Sequence, residues 1–376
     1  MRRCPIFFVR LVVCAGIALL VNSCARPRPR VVIAPPPPKP KAVAELRGVW
    51  VSDTTRLDWD EATAKLQRAG YNAMFVNFAS SGAAFYPGST VLPVVSSESP
   101  ASFGRGIELA HRRGLAVHAK QIVMFMFKAP PAFQRQLLKA DRVMRGPDLR
   151  PIMQSSNTWL FPSQPANRAL VAGAVTEMLA RFPVDGLQFD YIRFSEQPSC
   201  YCPQCRAEFE RSAGIRVKHW PSAVLAGPYA ARYNEWRKGV ITDWVRHLSA
   251  LARRTRPGVR VSAAAFADLN RAREEGAQDW KLWLETGLVD YVCTMTYRPE
   301  LREFEALVRK QQAWAPRRNQ VVVGIGSWKF DRMSQLVDQI TAVRQLGAPG
   351  FVLFSYDDCA VRDFLPKFMT GRNDHD

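Results

Sequence analysis

From residue 44 onward the apolar and polar positions fall into two alternating periods. Short runs rich in Val, Phe and other apolar residues, the mark of buried strands, lie at 47–52, 73–78, 115–123, 184–194, 260–266, 291–297, 321–327 and 350–356. Segments of helical period follow them at 59–69, 104–113, 166–181, 229–256, 279–286, 300–314, 334–346 and 360–368. Gly114, Gly287 and Gly347 each stand just past a periodic segment, where a helix C-terminal cap places glycine. Strand then helix, eight times over, predicts an α/β fold: one parallel (β/α)8 TIM barrel rather than an open sheet. Two connections are long, 124–164 after the third strand and 195–228 after the fourth. Both leave strand C-terminal ends, the face on which such barrels build their sites.

The fourth strand breaks the apolar rule. Between residues 182 and 195 it carries Asp185, Gln188, Asp190 and Arg193. Buried charge is costly unless it is paired, so a use is expected for it. Asp185 with Gly186 also reads as a turn opening the strand, whereas Asp190 lies near the far end. Polar residues recur at the other strand ends: Asp53, Asn77, His118, Lys120, Asp268, Tyr297, Trp328, Tyr356 and Asp358. With Trp159, Phe161 and Trp220 from the loops they describe a carboxylate-bearing cleft with aromatic plates, the chemistry of a glycan site. Asp190, Asp268 and Arg193 are the catalytic candidates, Arg193 to position Asp190 or hold it ionised. Asp53, Asn77, His118, Lys120, Tyr297, Trp328, Tyr356 and Asp358 are the substrate-binding candidates. For a second carboxylate the order is Asp268, Asp53, Asp358. Each has a structural alternative: Asp268 as a helix cap, Asp357 and Asp358 at the start of the last helix, His118 packed in the barrel lumen, Asn77 as a backbone hydrogen-bonder.

The chain of 376 residues, 47% hydrophobic, is long enough for one barrel with appendages. Its start is a different material. Residues 1–24 combine Arg2, Arg3 and Arg10 with an apolar run at 11–21, too short to span a bilayer and expected to be a cleaved export signal. Cys24, after Ser23, sits where a bacterial lipoprotein carries its acylated cysteine, so a lipid anchor facing the periplasm or the cell exterior is expected. Residues 25–43, rich in Pro and Arg, read as a stiff tether. The barrel domain is expected over 44–370 and a short polar tail over 371–376. Of the formal charge of +19, eight positive charges precede residue 44, which leaves +11 on the body. That excess suits acidic glycans or anionic headgroups; no nucleic-acid module is recognisable.

Cys200, Cys202 and Cys205 form a separate signal in the loop after the fourth strand. They suit a structural zinc ion with His219 or another fourth ligand, or disulfides that leave one thiol over unless Cys293 or Cys359 reaches it. No cofactor is required for the chemistry, and Cys293, mid-strand, reads as a small core residue.

Several stretches resemble the glycosyl-hydrolase-like family 10 proteins: 46–50 (LRGVW), 159–168 (WLFPSQPANR), 184–191 (VDGLQFDY), Trp236 with Arg237, 279–284 (DWKLWL) and 287–291 (GLVDY). The resemblance covers residues 46 to about 368, with the fourth-strand motif its most specific part. It implies a (β/α)8 barrel that hydrolyses glycosidic bonds, in a family that includes bacterial lipoproteins acting on peptidoglycan glycan strands. It also implies that Asp190 is the leading catalytic carboxylate. Many members continue with a second Asp where this chain has Tyr191, so that residue's role does not carry over. The strand is similar, too, to a degraded family 18 chitinase signature, with Gln188 at its middle Asp and Ile192 at its acid Glu, which argues against substrate-assisted chitinase chemistry.

Overall fold

The computed structural model describes residues 45–96 and 99–358. The export signal, Cys24, the tether, Cys359, the helix expected at 360–368 and the tail lie outside the described residues. Eight strands form the barrel: β1 Leu46–Val51, β2 Ala73–Ala79, β3 Ala116–Ile122, β4 Gly186–Asp190, β5 Arg260–Phe266, β6 Tyr291–Met295, β7 Val321–Gly326 and β8 Gly350–Phe354. Each pairs in parallel with its neighbours, and β8 closes on β1. The expected (β/α)8 architecture is therefore the one observed.

Alternation along the strands sorts the core into two layers. Outward residues such as Val49, Met74, Val117, Leu187 and Val261 pack against the surrounding helices. Inward residues Trp50, Ala73, Phe75, Tyr291, Cys293, Val322 and Val352 fill the lumen. Across it the Trp50 indole Nε1 donates to Gln188 Oε1 at 2.6 Å, which satisfies both buried polar groups. Cys293 is a core residue, as expected.

Helices lie where the period placed them: Trp59–Arg68, Pro100–Arg112, Pro165–Arg181, Ala230–Thr255, Trp280–Glu285, Leu301–Trp314 and Met333–Gln345. Gly114, Gly287 and Gly347 take positive φ at the helix ends they were expected to close. Further helices appear in the connections, at Pro131–Lys139, Pro203–Ala213 and Leu269–Glu274. Two of these open on proline and the last on the Asp268 cap.

The expected strand 184–194 is longer than the observed β4. Tyr191 adopts φ 49° and turns the chain out of the sheet, so Arg193 stands on the loop rather than on the strand. Where the barrel closes, Tyr356 N donates to Trp50 O at 2.8 Å. One Asp357 carboxylate spans the same seam, accepting from Ser52 N at 2.5 Å and Asp53 N at 3.1 Å.

The two long loops dock on each other over the C-terminal end of the barrel. Met124 N donates to Tyr191 O at 3.1 Å, and Tyr201 N to Arg145 O at 3.0 Å. Trp159 and Phe161 are both buried, which corrects their expected role as exposed plates. Trp220 belongs to a satellite core with Tyr201, Phe209 and Tyr233, and its indole donates to Tyr201 O.

Candidate active site

Depth in the lumen is set by strand register. Lys120 lies level with Asn77 on β2 and Gln188 on β4, while Asp190 lies level with Ile122, near the C-terminal rim. Both Lys120 and Asp190 face inward. Lys120 Nζ meets Asp190 Oδ2 at 3.1 Å, with side-chain exposures of 3% and 13%. The other carboxylate oxygen accepts the Tyr191 N–H at 2.8 Å, a bond made available by the left-handed turn. Asp190 is thus fixed at both oxygens at the mouth of the barrel.

Arg193 lies close enough for its charge to act on Asp190, but its hydrogen bonds go elsewhere. Its guanidinium is buried among the rings of Trp159, Tyr191 and Phe266, with centroids at 5.2, 4.7 and 4.6 Å. It donates to Phe194 O at 3.2 Å and to Glu196 Oε1 at 3.1 Å. Glu196 in turn meets Arg271 at 3.4 Å. Lys120 is therefore the cation that positions Asp190, and Arg193 anchors the loop beside it. Glu196 was not among the residues expected from the sequence, since it lies on the loop beyond the strand.

His118 is also corrected. It lies one inward position deeper than Lys120, stacked on Phe75 at 4.5 Å and hydrogen-bonded through Nδ1 to the Tyr291 hydroxyl at 3.2 Å. Gly186 makes room for it, since a Cβ there would come within 1.9 Å of the ring. Burial pushes its pKa down to about 4. A neutral, walled-in imidazole beneath the site offers nothing to a substrate.

Asp268 accepts the Arg271 N–H at 3.0 Å and caps Leu269–Glu274, which gives it to the structural alternative rather than to catalysis. Asp53 is half-buried at the mouth, bonded to the Thr55 hydroxyl at 2.6 Å and to Lys128 at 3.1 Å. Burial opposes its ionisation, but the bonds from Thr55 and Lys128 outweigh it and hold the carboxyl below its ordinary range. Asn77 donates to Ser52 O at 2.7 Å, and its Oδ1 finds no partner among the described residues. Tyr356 is buried in the core, and Asp358 is half-buried just beyond the seam.

An aromatic wall stands on the same face. Tyr297 and Trp328 meet edge to face at 4.7 Å, and Phe354 lies 5.8 and 5.3 Å from them. Gly326 permits this packing, because a Cβ would sit 2.7 Å from the indole. Trp328 keeps 44% of its surface exposed, with Lys329 Nζ 5.8 Å from its ring. Tyr297, which touches Trp328, also feels the charge of Asp190, so an exposed indole shares a face with the buried carboxylate–lysine pair and can stack a sugar ring there.

Away from the mouth, the sulfurs of Cys200, Cys202 and Cys205 lie within 4.8 Å of one another, all buried. His219 is exposed and not part of the cluster, contrary to expectation.

The sequence matches the glycosyl hydrolase-like 10 family over residues 45–336. It is 24% identical to glycosyl hydrolase DigH of Escherichia coli (strain K12), across 87% of this chain and 84% of that one. The fold resembles the glycoside hydrolase domain of PgaB (BpsB) from Bordetella bronchiseptica, with a TM-score of 0.67 and 18% identity over 85% of this chain and 99% of that one. It also resembles a beta-galactosidase from Bacillus circulans sp. alkalophilus, with a TM-score of 0.63 and 11% identity over 87% of this chain and 55% of that one.

Proposed function

Because the chain belongs to the glycosyl hydrolase-like 10 family, we propose that it is a glycoside hydrolase acting on a cell-envelope polysaccharide, peptidoglycan glycan strands first among them. The observation that carries this reading is the buried ion pair of Lys120 and Asp190 at the C-terminal mouth of the barrel. Glycosidic hydrolysis needs two carboxyl groups, one to protonate the leaving oxygen and one as nucleophile or base. Asp190, its charge met by Lys120 and its second oxygen held by Tyr191 N–H, fits the nucleophile or base. The proton donor is sought between Glu196 and Asp358, because Thr55 and Lys128 hold Asp53 ionised. Trp328 supplies the platform for a neighbouring sugar. Residues 1–24 act as an export signal, Cys24 carries the lipid anchor, and the Pro-rich tether lets the barrel reach its polymer.

A second reading is a non-catalytic glycan-binding lipoprotein. It is favoured by the commitment of Asp268 to a cap and of Asp357 to the backbone of Ser52 and Asp53. Incubation of the soluble body with purified peptidoglycan glycan strands, and with other polysaccharides, separates the two. New reducing ends that vanish in Asp190→Asn support the hydrolase; binding without cleavage, indifferent to Asp190→Asn, establishes the other.

A further inference from the structure

We propose that Cys200, Cys202 and Cys205 hold a thiophilic d10 metal ion, with zinc the expected occupant, and that this ion fixes the loop after β4 where it docks on the loop after β3. The three Sγ atoms converge within 4.8 Å. Thiolates on one tetrahedral zinc, at about 2.3 Å from the metal, stand about 3.8 Å apart, so a small closure brings all three into its shell. No single disulfide uses the set: any pair leaves a third buried sulfur pointing at the same spot. The surroundings also suit thiolates. Cys200 Sγ accepts the Arg145 N–H at 3.2 Å, and Cys202 Sγ accepts the Cys205 N–H at 3.4 Å from the first turn of Pro203–Ala213. Backbone N–H groups aimed at sulfur lower the cost of burying its charge and orient it toward an ion. Among the described residues no further His, Cys, Asp or Glu joins the cluster, so the fourth position falls to water or to a ligand outside them.

The ion's place suggests its job. Arg145 belongs to the loop after β3, while the cysteines belong to the loop after β4. Beyond the Arg145 N–H bond, Tyr201 N donates to Arg145 O at 3.0 Å, and the Tyr233 hydroxyl donates to Cys200 O from the helix Ala230–Thr255. One ion would fix the segment 200–205, and with it the hydrogen bonds that join this segment to the other two pieces. It lies in the core, away from the mouth, and its role is to hold the loops rather than to activate water.

The test uses the full chain purified without chelators. Elemental analysis is expected to give about one zinc, or copper(I), per chain. Alkylation under denaturing conditions without reductant should then label all three cysteines. Cys202→Ser should lose the metal and lower the unfolding midpoint, while Cys293→Ser should keep the metal. Should Cys202→Ser not fold, native mass spectrometry of the unaltered chain still decides, by a metal adduct that a chelator removes. A metal content below about a tenth per chain overturns the proposal, whether two of the cysteines are found as a disulfide or all three are found free.

Discussion

Asp185 and Asp190 flank the same short strand, yet their surroundings give them opposite work. Asp185, at the N-terminal end, accepts from His111 Nε2 at 2.8 Å and from Val117 N at 2.7 Å. Burial opposes its ionisation, but those two bonds outweigh it and keep the carboxyl below its ordinary range. Its hydrogen bonds are spent on stitching the strand to its neighbours. Asp190, at the C-terminal end, meets the buried Lys120 ammonium and a single backbone N–H, on the face of the barrel that carries the Trp328 wall. Barrels divide labour between their two faces in this way, with stability at the base and chemistry at the mouth.

The sharpest way to break that comparison is to neutralise each carboxyl in turn. Asp190→Asn should reduce glycan cleavage by about 10²- to 10⁴-fold, while the protein still folds, since an amide oxygen can accept from Lys120. Reducing-end release and circular dichroism on the same preparation check both halves; retained cleavage sinks the assignment. Beneath the site, His118 ties acid stability to the base of the barrel. It is neutral when folded, with a pKa of about 4 against 6.5 when free, so acid protonates the unfolded chain first. Between those pH values the fold should lose stability on the order of 3 kcal/mol. His118→Gln should flatten that slope in urea titrations taken at several pH values, and an unchanged slope would place the proton elsewhere. Asp185→Asn should cost about 1–3 kcal/mol of stability and leave the turnover of the folded fraction unchanged. A turnover defect there would erase the distinction between the two ends. Smallest is Trp328→Ala, expected to raise KM for polymer by about tenfold with kcat nearly constant, the signature of lost uniform binding. A fall in kcat alone would move Trp328 from platform to catalysis.

The fold was legible because each strand advertises itself: runs such as 321–325 and 350–354 are apolar on both faces, as a strand covered by helices and filling a lumen must be. Asp190 was legible for the converse reason, as a charge inside such a run. Its partner was not. Alternation placed both His118 and Lys120 inward, but which of them reaches Asp190 depends on the stagger between β3 and β4, a property of closure that neither strand contains. Arg193 misled because the apolar run around it reads as strand as far as residue 194, whereas the turn at Tyr191 ends the strand first. Glu196 was hidden because a loop has no period to count along.

The Asp357 bridge across the seam has a consequence in time. Leu46 pairs with Gly350, so the first strand gains its second neighbour only when the eighth strand docks. Earlier strands can associate in order, but the ring cannot shut until Asp357 arrives to grip the amides of Ser52 and Asp53. Until then β1 has an open edge, and the mouth that holds Lys120 and Asp190 is a gap in an arc. The eighth strand and the Asp357 that follows it therefore finish the pocket, and a chain cut short before Asp357 would leave its mouth unclosed.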